Sequence, residues 1–283
     1  MIRTILLPLA QDLTSEPVLD AALSLAKRVN SHIRAMFILP DPDVALSYVP
    51  EMIFAAGATR ESIERETRQA VAVAKARFDN WQTRNHVPAS AGVRLDGCFA
   101  TWSEQVGEIE TVITRFGRIS DLIVLQRFAS NAIQAQRCFD AAVFGSGRPA
   151  LIVPEKPAFD MTDHIMIAWN GSLEASRAVL GAMPLLHLAN RVSIFAAPKY
   201  DAEGVNPGDL AEALSWHGIR AHAVACPANG YSTGAALINA ATKQEATLIV
   251  MGAYTHSRLR QSFLGGVTKH LLGHSPIPLL ICH

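Results

Sequence analysis

With 25 basic and 25 acidic side chains in 283 residues, the chain has no net charge to hold it on nucleic acid or an anionic membrane. Nearly half of it is hydrophobic (49%) and 18% is charged, enough apolar material for the cores of two ordinary domains, while no apolar run reaches membrane-spanning length. The opening MIRTILLPLAQDL is broken too early by Pro8, Gln11 and Asp12 for a secretory leader, and Cys98, Cys138, Cys226 and Cys282 form no CxxC pair. These features predict a cytoplasmic protein with reduced thiols and no nucleic-acid or membrane partner.

In chain order, runs with the length and composition of strands are TILLPL (4–9), HIRAMFIL (32–39), ASAGVRL (89–95), DLIVLQ (121–126) and PALIVP (149–154). Between the first two, Val18, Leu19, Ala22, Leu23, Ala26 and Val29 recur at helical spacing and form one apolar face. Residues 61–84 and 103–116 are further predicted helices. Strand alternates with helix, and the late strands are apolar throughout, as in a parallel sheet covered on both faces.

The same order then recurs. HIMIAWN (164–170), RVSIFAAP (191–198), RAHAVACP (220–227), TLIVMGA (247–253) and IPLLICH (277–283) match the five earlier runs in turn. DLIVLQ and TLIVMG correspond almost position by position, so the chain reads as an internal duplication. This predicts two tandem α/β domains, 1–156 and 163–283, each a doubly wound five-stranded parallel sheet, joined through EKPAFDMTD. Residues 40–60 are longer than their counterpart at 199–207. They read as a surface loop, with a lid or an interface arm as the functional alternative.

Sheets of this kind bind ligands at the carboxyl ends of the strands that flank the reversal of strand order. In the second half those ends are WNGS (169–172), AAP (196–198) and MGAYTHS (251–257). Gly265 and Gly266 then come at the start of the last helix, whose free N–H groups can face an anion.

The duplicated pattern, with WNGSLEASRAV and GAYTHSRLRQSFLGGVTKHLL, resembles the universal stress protein family over essentially the whole chain as two tandem domains. The resemblance implies the Rossmann-like fold of the adenine nucleotide alpha hydrolases and an adenine nucleotide, ATP or AMP with magnesium, in the second half. Nucleotide-binding members carry a Gly, two residues, a Gly, nine residues, then a Gly and a Ser or Thr. Carried over, these positions are Gly252, Thr255, Gly265 and Gly266, with Val267 and Thr268 continuing the match. Asn170 stands where an acidic residue usually faces the adenine. Ala168, Ala196, Met251, His256 and Arg258 complete the implied site.

Thr255 enters left-handed backbone less readily than Gly, at a cost of about 1 kcal/mol if the loop keeps its shape. Gly266 lacks a hydroxyl whose bond to phosphate would contribute roughly 0.5–1.5 kcal/mol. Arg258 and Arg260 act in the opposite sense, as cations that favour phosphate. In the first half Gln126 holds the place of Gly252, and the following RFASNAIQAQRCFD has no glycine, so that half is expected to be structural. The family pairs its domains through their last strands, which implies PALIVP against PLLIC within this chain, an intramolecular domain pair; a homodimer is compatible with the same resemblance. The implied role is in stress response or signalling, with at most weak ATPase activity. The alternative is a nucleotide-free interaction module.

Other chemistry is sparse. His270 and His274 share a helix face but have no third ligand at a diagnostic spacing, so no metal site is expected. His256 beside Ser257 lacks a GxSxG elbow, and no GxxxxGK[ST] motif occurs. Trp81 and Trp102 read as packing residues.

Overall fold

The computed structural model describes residues 1–9, 15–41, 60–89, 97–128, 132–156, 160–196, 205–224, 232–253 and 266–283. Strands β1 (Thr4–Leu9), β2 (His32–Leu39), β3 (Phe99–Val106), β4 (Leu122–Gln126) and β5 (Ala150–Val153) belong to the first half. The second half supplies β6 (His164–Trp169), β7 (Arg191–Ala196), β8 (Ala221–Val224), β9 (Leu248–Gly252) and β10 (Leu279–Cys282). The helices are α1 (Glu16–Val29), α2 (Arg60–Arg84), α3 (Ile109–Gly117) and α4 (Ile133–Asp140), which runs into a π turn at Ala141–Gly145, then α5 (Leu173–Leu186), α6 (Pro207–Trp216), α7 (Thr233–Lys243) and α8 (Gly266–His274).

The ten strands among the described residues form one sheet in the order β3-β2-β1-β4-β5-β10-β9-β6-β7-β8. Each half thus has the doubly wound order 3-2-1-4-5, parallel throughout, and the reversal falls between β1 and β4 and between β6 and β9. The halves meet through β5 and β10, the sheet's antiparallel pair, with Leu151 opposite Leu280. These two leucines hold equivalent places in PALIV and PLLIC, so the junction has the symmetry of a two-fold axis. PALIVP against PLLIC is the observed pairing.

Alternating side chains of the strands enter two cores. One lies under α1, α2, α5 and α6, the other under α3, α4, α7 and α8. The central strands are buried on both faces, which is why they read as unbroken apolar runs. Trp81 is buried and donates to Asp20 Oδ1 at 2.8 Å, while Trp102 stacks on Phe37, so both tryptophans pack as expected. Within the joining segment, Asp160 pairs with Arg28 at 2.8 Å and Thr162 Oγ1 accepts from it, tying residues 160–162 to α1.

In the first half, the third described strand is Phe99–Val106, and of the run 89–95 expected in that place residues 90–95 lie outside the described residues. The helix expected over 103–116 is corrected: it begins at Ile109. FATWSEQV is an edge strand in which Glu104 and Val106 are exposed; it pairs with β2 from His32↔Phe99 to Leu39↔Val106. Gly107, at φ +147, ends it just before α3. The 40–60 segment falls almost wholly outside the described residues.

Candidate functional site

At the switch point of the second half, Ala168 of β6 lies opposite Met251 of β9, and Trp169 lies opposite Ala196 of β7. The carboxyl ends carrying Ala168, Asn170, Ala196, Met251 and Gly252 are therefore brought together as the strand order requires. Thr255, His256, Arg258 and Gly265 lie outside the described residues. Gly266 begins α8, followed by Val267 and Thr268.

These residues divide between the two faces of the sheet. Met251 is 4% exposed and packs in the core under α8, where Ala168 and Val267 also lie; Thr268 is buried beside them in sequence. On the other face, a Cβ at Gly252 would stand 2.4 Å from the Ala175 backbone nitrogen and 2.5 Å from the Glu174 carbonyl carbon. The missing side chain of Gly252 therefore lets the first turn of α5 close onto the end of β9. The role read from sequence, close approach to phosphate, is not the one its Cα–Cβ direction serves.

The WNGS turn is equally well determined. Asn170 is exposed, and its Oδ1 accepts from Ser172 N at 3.2 Å. Gly171 takes φ +71, and Ser172 caps α5 by accepting from Ala175 N. The expected adenine-facing residue thus shapes the entry to a helix. Trp169, which sequence reading left without a role, donates from its indole to the Val205 carbonyl at 2.7 Å and so ties the start of α6 to the end of β6. A lone buried tryptophan ending an apolar strand was the available signal.

Gly266 differs from Gly252. No described residue lies within 4 Å of a Cβ placed there, and the residue is exposed. By topology the α8 N-terminus stands at the carboxyl end of the sheet, where free helical N–H groups carry partial positive charge.

Gln126 ends β4 where Gly252 ends β9, and the next residue, Arg127, reaches across the junction to donate from Nη1 to the Ser275 carbonyl at 2.5 Å. This contact was not legible in sequence.

Remaining groups of chemical interest are spent on structure. His270 and His274 stack with ring centroids 4.5 Å apart, and His274 Nδ1 donates to the His270 carbonyl. No group of three or more potential metal ligands occurs among the described residues. Cys98, Cys138 and Cys282 are free thiols; burial pushes Cys138 and Cys282 up to about 12, far from nucleophilic use at neutral pH. Among the described residues no helix is long and apolar enough to cross a membrane.

Residues 229–283 match the model of the universal stress protein family. No curated protein matches the chain. Among solved structures, a universal stress protein from Archaeoglobus fulgidus DSM 4304 is similar with a TM-score of 0.67 at 16% identity, covering 99% of this chain and 97% of that one. A putative universal stress protein from Pseudomonas aeruginosa UCBPP-PA14 aligns with a TM-score of 0.52 at 13% identity, over 99% of this chain and 93% of that one. At these identities the likeness to solved structures is one of fold. The family model thus matches the C-terminal segment, and along its length the chain has the fold of these solved universal stress proteins.

Proposed function

We propose that the protein is a cytoplasmic, tandem universal stress protein that binds an adenine nucleotide, ATP or AMP, in its second half and acts by binding. The domains are residues 1–156 and 163–283, the first structural and the second ligand-bearing. The observation that carries the reading is Gly266: it begins α8 at the carboxyl end of a switch-point sheet with no described residue within 4 Å of a Cβ placed there, which leaves its helical N–H groups open to a phosphate on the side of the described residues. Small residues at Ala168 and Ala196 border the same strand ends. Magnesium would accompany ATP through its phosphates. The role is one of binding, with at most slow hydrolysis.

A second reading has its own support. Gly252 and Asn170 are both accounted for by packing and turn formation, so neither requires a ligand. A nucleotide-free interaction module would keep both residues for the fold alone. Mass spectrometry of small molecules released from freshly purified protein separates the two: recovery of adenine nucleotide supports the first, and an empty protein that also fails to bind added ATP supports the second.

A further inference from the structure

We infer that Arg127, a first-half residue, is a positioning residue for the second-half candidate site, acting through α8. The inference rests on the proposed site at the N-terminus of that helix. Arg127 and Ala253 are equivalent positions of the duplication: Arg127 N donates to the Val153 carbonyl at 2.7 Å, and Ala253 N donates to the Cys282 carbonyl at 2.8 Å. The side chains differ, and so does what they do. Arg127 extends from the end of β4 to the Ser275 carbonyl, directly after α8, while Ala253 has only a methyl group and cannot return the contact.

The anchored carbonyl belongs to a rigid turn. Ser275 is fully buried; its Oγ donates to the Ile277 carbonyl at 2.8 Å and accepts from Ile277 N at 3.2 Å, and its N donates to the Leu271 carbonyl. The guanidinium therefore grips the corner between α8 and β10. A cation at this end also complements the negative pole of the helix. Among the described residues Arg127 has no carboxylate partner, so its charge is directed at this corner. Two neighbouring contacts brace the same region: His283 Nδ1 donates to the Ala253 carbonyl at 3.0 Å, and Phe144 of the first half meets the His283 ring edge-on at 4.8 Å. Arg127, next to the place where the first half has Gln126 instead of glycine, thus acts as a bracket on the helix of the other half, 148 positions from Ser275 in sequence.

The test compares wild type, Arg127→Ala and Arg127→Lys by amide hydrogen exchange and by calorimetric titration with ATP and magnesium. In Arg127→Ala the α8 amides should exchange roughly tenfold faster while those of β1 and β4 keep wild-type rates. ATP affinity should fall roughly threefold to tenfold, with Arg127→Lys in between, because an ammonium reaches the carbonyl without the planar fork. Wild-type exchange in α8, or equal loss of protection in β1 and β4, overturns the inference. So does unchanged ATP affinity beside a loosened α8. If wild type binds no ATP, the nucleotide reading falls, and the exchange result alone decides whether Arg127 holds α8.

Discussion

Gly252 and Ala175 stand so close that a single added methyl group on the glycine would lie 2.4 Å from the alanine's backbone nitrogen. Neither backbone can yield without moving the start of α5 or the end of β9. Gly252→Ala should therefore destabilise the protein by roughly 1–3 kcal/mol in ligand-free thermal or denaturant unfolding. Gly266→Ala, with no described residue within 4 Å of the added methyl group, should leave stability unchanged or raise it slightly. Equal losses from the two would refute the packing role given to Gly252.

This relationship also changes how the site is probed. A charged residue at Gly252 would disrupt packing before it met any phosphate. Gly266→Asp is the cleaner probe, since a carboxylate at a helix N-terminus favours the helix by roughly 0.3–1 kcal/mol while repelling an anionic ligand. The expected outcome is an unfolding midpoint at or above wild type together with loss of ATP binding. A lowered midpoint would mean that the space around Gly266 is not open.

The two departures from the family's phosphate loop give a gain-of-function prediction. Thr255→Gly with Gly266→Ser should tighten ATP binding about tenfold to a hundredfold, from relief of backbone strain and one recovered hydrogen bond, together about 1.5–3 kcal/mol. Titration of both proteins under the same conditions decides it. No gain would show that the natural loop holds phosphate in its own way.

His164 supplies a pH dependence. It is buried, its Nδ1 donates to the Gln244 carbonyl at 2.9 Å, and its Nε2 accepts from Ser193 Oγ at 2.8 Å. Burial lowers its pKa below the ordinary value of 6.5; Arg191 and His222 add to this, and the Gln244 carbonyl and Asp163 oppose it. The unfolded chain therefore binds the proton more readily than the folded one. Stability should be full above pH 6.5 and fall as the pH drops from there toward the folded value. His164→Gln, which keeps a neutral donor and acceptor, should flatten part of this fall in midpoint between pH 7 and 5; His32, lowered chiefly by burial, retains its own share. Identical pH profiles for mutant and wild type would remove His164 from the account.

The duplication was legible in sequence because the central strands are buried on both faces and carry the same apolar words twice, down to the Leu151–Leu280 pairing. Strand β3 was not, because an edge strand such as FATWSEQV mixes Thr101, Ser103, Glu104 and Gln105 with its apolar residues. The packing of Gly252 was not legible either, because sequence does not say toward which neighbour a missing Cβ points. Arg127 was invisible for another reason: its partner is Ser275, and no local pattern records a contact of that span.

The central claim is that one half of the chain binds nucleotide and the other does not. Calorimetric titration with ATP and magnesium of wild type, Gln126→Asp and Gly266→Asp tests it directly. Both substitutions place one carboxylate at the carboxyl end of the sheet, one in each half. The account predicts that wild type and Gln126→Asp bind with equal affinity and that Gly266→Asp does not bind. Binding that survives Gly266→Asp, or is lost equally in Gln126→Asp, would contradict it.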